Sequence, residues 1–206
     1  MTGAYVTHNA GAKWTRFNLH SPVRFYVFDP LDSNIVYANS IALYKSTDKG
    51  ATWHVLYPAA TEIAGIVSKG DHAEEVVVTK DSTRRHVLAL AVDPAASNKL
   101  YAAISINKNS ALYFSDDGGL QWTKEKELED GATNIFIVPN SPKEDRTLYI
   151  TGRNTITQRE GGVWKLNKGP QGVTLLTSCT GGFDAQQKKF IIYAMAGTSY
   201  FNPNAD

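Results

Sequence analysis

The stretch KSTDKGATWHVL, residues 45–56, reads as a turn set between two strands, with Ser46, Asp48, Gly50 and Trp53 at fixed offsets. The same offsets return in FSDDGGLQWTKE, residues 114–125, at Ser115, Asp117, Gly119 and Trp122. Turn chemistry accounts for the spacing. A hairpin has to reverse direction, an Asp side chain holds the reversal by accepting backbone N–H bonds, and Gly supplies the positive φ that other residues resist. Ser adds a second local bond. The Trp falls back on the hairpin as an apolar plug between neighbouring strands or sheets. Asp48 and Asp117 are therefore predicted to be structural, not catalytic or calcium-binding. A degenerate third copy, THNAGAKW at residues 7–14, keeps Thr7, Asn9, Gly11 and Trp14.

Around these turns run short segments rich in β-branched and aromatic residues, bounded by Asp, Pro, Asn, Ser and Gly, which read as strands and tight turns. No segment carries a helical apolar period. VFDPLDSNIVYANS (27–40) aligns with AVDPAASNKLYAAI (91–104), pairing Asp29 with Asp93, Ser33 with Ser97 and Tyr37 with Tyr101. Looser copies follow in IVPNSPKEDRTLYITG (137–152) and GGFDAQQKKFIIYAMAG (181–197). Each unit reads as strand A, strand B, strand C, the turn, then strand D, and a period of this size predicts propeller blades. The expected fold is an all-β propeller of four-stranded antiparallel blades, with whole blades at 17–57, 58–127 and 128–174 and half blades at 1–16 and 175–206. The middle unit carries the insertion TEIAGIVSKGDHAEEVVVTKDSTRR. In the third unit Trp164 stands on a strand and is not a turn residue.

The first half blade holds strands C and D and the last holds A and B. Joined, they would complete one blade. Either a ring of four closes through its ends or the chain is a segment of a larger propeller; the segment is the expectation. MTGAYVTHNAG lacks the features of a secretory leader, and upstream sequence is expected before it.

With 206 residues, 42% hydrophobic and 20% charged, the chain is sized for one globular β domain. A net charge of +1 argues against a nucleic-acid partner, and Arg84-Arg85 reads as a solvated loop pair. Cys179 is the lone cysteine, which excludes an internal disulfide and a cysteine-rich metal site, and it reads as a buried inert thiol. No segment is long enough for a membrane span. No cofactor or metal is expected.

The eight-residue turn is that of the Asp-box, or bacterial neuraminidase repeat. With two full matches, one degenerate match and the DPxxSNxxYA strand pairs, the chain resembles Asp-box β-propellers. These include sialidases, xyloglucan-degrading glycoside hydrolases, sortilin-type receptors and photosystem II stability factors. The resemblance implies an extracellular or periplasmic protein that binds or hydrolyses carbohydrate. The alternative is a non-catalytic propeller that binds a protein partner.

In such propellers ligands sit on loops joining blades and on B–C loops. That directs attention to Arg24, Arg85 and the neighbouring His86, Arg153, and Tyr200 beside Phe201 as ligand-binding candidates. An Arg-Ile-Pro motif of the sialidase type is absent, and chance placement explains the three arginines better than a carboxylate-gripping triad. A xyloglucanase-like reaction needs two carboxylates across a cleft. Asp71, Glu74 and Glu75 in the insertion are the densest acidic set and the weak catalytic candidates, against the plainer reading of a solvated hairpin. His72 has no second His at ligand spacing.

Overall fold

The computed structural model describes residues 4–69 and 74–197. Three four-stranded antiparallel sheets follow one another along the chain, each with its strands in sequence order. The first comprises β3 (Phe25–Phe28), β4 (Val36–Asn39), β5 (Leu43–Ser46) and β6 (His54–Tyr57). The second comprises β9 (Arg85–Asp93), β10 (Ala96–Ile106), β11 (Asn109–Ser115) and β12 (Thr123–Glu127). The third comprises β13 (Asn134–Ile137), β14 (Leu148–Thr151), β15 (Thr155–Glu160) and β16 (Val163–Lys168). Two-stranded hairpins flank them: β1 (Ala4–Val6) with β2 (Thr15–Phe17) before, and β17 (Leu176–Asp184) with β18 (Lys189–Ala196) after. The insertion forms its own hairpin, β7 (Ile63–Lys69) with β8 (Glu74–Thr79), entered through a short 3-10 turn at Ala60–Glu62.

The strand that opens each sheet touches its counterpart in the next, β3 on β9, β9 on β13 and β13 on β17. The sheets are therefore arrayed around the side of their first strands, as propeller blades are. Both faces of a middle sheet are covered, which explains why KLYAAISI is apolar without alternation. Leu100, Ala102 and Ile104 pack with Tyr37 and Leu43 of the first sheet, whereas Tyr101 and Ala103 pack with Ile135 and Ile137 of the third. The last strand of the second sheet, TKEKE, has solvent beside it and is exposed throughout.

The three eight-residue turns share one hydrogen-bond scheme. In the first full copy Ser46 Oγ donates to Asp48 Oδ1 (2.8 Å) and accepts from the Gly50 N–H (2.7 Å), while Asp48 Oδ1 accepts from the Thr52 N–H (2.8 Å). Ser115, Asp117, Gly119 and Gln121 repeat it at 2.8, 2.8 and 3.0 Å. Thr7, Asn9, Gly11 and Lys13 do so at 3.0, 2.9 and 2.8 Å, so the degenerate copy keeps the geometry without a charge. These bonds stabilise the ionised carboxylates: Asp48 is lowered to about 2, chiefly by the Thr52 hydroxyl and amide. Each indole of the full copies reaches the preceding sheet. Trp53 stacks on Phe17 with centroids 5.2 Å apart, and Trp122 meets Tyr57 edge-on at 6.3 Å. Gly119 is needed twice over, for its φ of +96° and because a Cβ there would lie 2.7 Å from Leu56 Cδ2 of the first sheet.

Polar side chains pin the sheets together at the turns that follow strand A. Asp29, at the end of β3, accepts from Ser97 Oγ of the second sheet at 2.9 Å. Asp93, at the end of β9, takes a two-pronged bond from Arg146 of the third, at 2.6 Å (Nε) and 2.7 Å (Nη2). Arg146 is only 2% exposed, and its remaining donors reach the Pro139 and Ser141 carbonyls. Cys179 is buried as expected, and burial pushes its thiol up to about 11.

Breaking a buried ion pair strands a charge, so Arg146→Met is expected to lower the unfolding free energy by about 3–5 kcal/mol in urea titration. Burial pushes the Asp93 carboxyl up, but Arg146 and the Ala95 amide together outweigh it and leave it below 3.8. A depressed carboxylate stabilises the fold above its unfolded value. That contribution is lost as pH falls below about 4, read as a drop in thermal midpoint that Arg146→Met abolishes. Gly119→Ala is expected to cost about 2–4 kcal/mol through strain and crowding. Adding Leu56→Ala should recover part of the loss, whereas Gly50→Ala, which meets only Trp53 at 3.3 Å, should cost less.

Candidate functional site

With four antiparallel strands per sheet, the A–B and C–D turns lie at one end and the B–C and D–A connections at the other. The eight-residue turns occupy the first end. A cavity of about 470 Å³ opens at the second, between the first two sheets and under the insertion hairpin. That volume lies within the range of small-molecule sites. Its walls come from the approach to β3 (Ser21 to Arg24), the β4–β5 turn (Ser40, Ile41), the insertion hairpin (Val67 of β7, Glu75 to Val78 of β8) and the approach to and start of β9 (Ser82 to His86).

Local chemistry holds this frame. Ser40 Oγ lies 2.9 Å from both the Leu19 and Ser21 carbonyls, fixing the chain before β3. Asn39 Nδ2 donates to the Val87 carbonyl at 3.0 Å and ties the first sheet to the second beside the cavity. The base of the insertion is closed by Arg85, which reaches Glu62 at 2.9 Å at the insertion's start and Asp81 at 2.6 Å near its end. Thr79, Asp81 and Thr83 interlock by hydroxyl bonds of 2.6 to 2.8 Å, and Arg85 Nε donates to Thr83 Oγ1 at 2.9 Å. Arg85 thus stands at the cavity, but its donors are engaged in shaping the wall.

Arg24 and Arg84 also line the cavity, and among the described residues neither guanidinium has an ion-pair partner. Between them stands His86, exposed at the cavity, and desolvation followed by the charges of Arg24 and Arg84 lowers its pKa. It is therefore neutral at pH 7, able to donate from one ring nitrogen and accept at the other. Glu75 brings the one carboxylate seen in the lining, 3.6 Å from His20 Nδ1. Pro22, Val23, Ile41 and Val77 supply apolar wall between the polar groups. The arrangement can hold a polar, ring-sized ligand by hydrogen bonds from Arg24, Arg84 and His86 while apolar surface backs its flat side.

The other sequence candidates stand apart. Arg153 lies on the β14–β15 connection of the third sheet, is exposed and does not line the cavity. Asp71, His72, Tyr200 and Phe201 lie outside the described residues, as does the side chain of Glu74. Arg84 was hidden as half of a solvated basic pair. Its signal was its place: like Arg24, it falls just before strand A on a blade-joining loop. Among the described residues no cluster of His, Cys, Asp and Glu can hold a metal ion, and no helix is long and apolar enough to cross a membrane.

No family model and no curated protein matches the chain. Solved structures do. The GH74 enzyme of Niastella koreensis is 22% identical over 87% of this chain and 28% of its own length, with a TM-score of 0.54. The GH74 xyloglucanase from Xanthomonas campestris is 14% identical over 89% and 31%, with a TM-score of 0.51. A structure of YCF48 bound to D1 peptide overlaps 78% of this chain and 57% of that one at 13% identity and a TM-score of 0.37. The chain spans less than a third of the length of the two GH74 proteins. The GH74 likenesses establish the fold, and the chain is a β-propeller resembling the Asp-box kind.

Two of the three cavity arginines, Arg24 and Arg85, are expected to part company on substitution. Arg85→Gln should lower stability by roughly 1–2 kcal/mol, discounted because both carboxylate partners are half exposed. Arg24→Gln should leave the melting midpoint within a degree or so, both read by differential scanning fluorimetry.

Proposed function

We propose that this chain is an Asp-box repeat propeller, or part of one, that binds carbohydrate in the cavity between its first two sheets. One observation carries the reading: a cavity of about 470 Å³ in which two guanidiniums without an ion-pair partner among the described residues and a neutral His86 alternate with Pro22, Val23, Ile41 and Val77. Sugars present hydroxyl edges and an apolar ring face together, and such a lining meets both. The overlay on GH74 enzymes, one of them a xyloglucanase, supports carbohydrate as the ligand class. Secretion belongs to the same reading and rests on the Asp-box resemblance.

Binding is favoured over hydrolysis. A glycosidase needs two carboxyl groups facing each other across the scissile bond. Here Glu75 is the one carboxylate of the described lining, and His20 stands against it.

The test is calorimetry with xyloglucan and cello-oligosaccharides and with uronate-bearing oligosaccharides, alongside a reducing-sugar assay. Binding to at least one class is expected. The Arg24→Gln/Arg84→Gln pair should weaken it at least tenfold, about 1.4 kcal/mol, without lowering the melting midpoint. No binding across the panel, or binding indifferent to the pair, overturns the reading. Sugar release abolished by Glu75→Gln would replace binding with hydrolysis.

A further inference from the structure

The cavity between the first two sheets carries an unbalanced charge. Arg24, Arg84 and Arg85 stand in its lining, and Glu75 is the one carboxylate of the described lining. Arg85 is neutralised within the wall by Glu62 and Asp81, neither of which lines the cavity. Glu75 stands 3.6 Å from His20 Nδ1. Among the described residues Arg24 and Arg84 have no such partner. They come from different walls. Arg24 lies on the chain entering the first sheet, where its amide donates to the Asn39 carbonyl at 2.8 Å, and Arg84 on the chain entering the second, where its amide donates to Asn107 Oδ1 at 2.9 Å. Each side chain therefore starts from an anchored backbone, and both charges reach His86 between them.

The hydrogen-bonding character of this lining selects among sugars. A guanidinium has donors and no acceptor. A neutral sugar offers hydroxyls, which donate as well as accept, whereas an ionised carboxylate only accepts and can meet a guanidinium with two parallel bonds. Hydroxyls in the wall are already engaged, Ser40 Oγ with the Leu19 and Ser21 carbonyls and Thr83 Oγ1 with Asp81 and Arg85. Apolar attraction is limited as well. Trp, Tyr and Phe offer the largest apolar contact of any side chains, and among the described residues none of them lines the cavity, which leaves aliphatic wall such as Pro22 and Ile41. Charge has to supply what stacking does not. A cleft lined by one sign of charge also concentrates ions of the other.

We propose that the sugar taken by this cavity is an acidic one, a uronate whose carboxylate lies between Arg24 and Arg84. The inference rests on the reading that the cavity binds carbohydrate and adds the charge of the ligand to it. Arg24 and Arg84 donate to the carboxylate from the two walls, and His86 meets a ring hydroxyl beside it. A neutral sugar in the same place leaves two like charges facing each other with nothing between them to offset the repulsion.

The test compares ligands that differ only in charge. Cello-oligosaccharides, the same chains oxidised at the primary hydroxyl to carboxylates, and the methyl esters of those carboxylates are titrated by calorimetry into the wild-type chain. Oligogalacturonates and their methyl esters supply a second backbone. On at least one backbone the acid is expected to bind about tenfold or more tightly than its ester. That advantage should shrink as salt is added, because exposed charges are screened. The Arg24→Gln/Arg84→Gln pair should bring acid and ester to the same affinity, with the melting midpoint checking that the variant is folded. An ester or neutral parent that binds as tightly as the acid overturns the acidic ligand and leaves the carbohydrate reading standing. Failure of every sugar to bind overturns both. A preference for the acid that survives the double substitution puts its carboxylate elsewhere and overturns the proposal.

Discussion

No backbone ladder passes from one sheet of this protein to the next, so beyond single backbone bonds such as that from the Leu176 N–H to the Arg153 carbonyl (2.7 Å) the array is held by what side chains do across the gaps. The Asp93–Arg146 pair is the most demanding of these contacts. Arg146 sits at the sheet boundary with every nitrogen bonded, and Asp93 receives two of those bonds together with the Ala95 amide. A paired charge in such a place contributes modestly to net stability but tolerates no other geometry. It fixes the angle between the second and third sheets, as Asp29 with Ser97 does more weakly for the first and second. Apolar packing fills the space whose shape those bonds define.

The fold was legible because it repeats. One turn with Ser, Asp, Gly and Trp is a weak signal, but two full copies and Thr7–Trp14 at matching places in the strand order leave few architectures open. The continuous apolar runs, ambiguous alone, resolve once each sheet has a neighbour on both faces. What the repeat did not reveal is where a unit departs from it. The third A–B turn, SPKEDRT, drops the Asp-Ser-Asn pattern, and nothing local marks its Arg146, whose partner is 53 residues away. The insertion likewise decides the role of Arg85, offered by the sequence as a ligand-binding candidate: Asp81 stands four residues away, but Glu62 becomes a partner only when β7 and β8 fold back.

The cavity was legible in part for the same reason. Arg24 and Glu75 were readable as candidates on blade-joining and inserted loops, and the structure brings both to one lining. Their convergence depends on five segments from residues 21 to 86, and only the closed insertion makes them neighbours. Arg153 had the same local credentials on the third sheet and faces elsewhere. Residue type and loop position therefore nominate, and the long-range path of the chain selects.

The short approach of Gly119 to Leu56 bears on how such a molecule can change over time. A repeat protein invites the view that its blades are exchangeable parts, each free to be duplicated or shuffled. Here the reversal that finishes one blade is moulded against a leucine belonging to the blade before it. A transplanted blade would arrive with a turn shaped for a neighbour it had left behind. Recombination in this lineage should therefore favour crossovers that carry adjacent blades together, with the unit of inheritance spanning the seam between them.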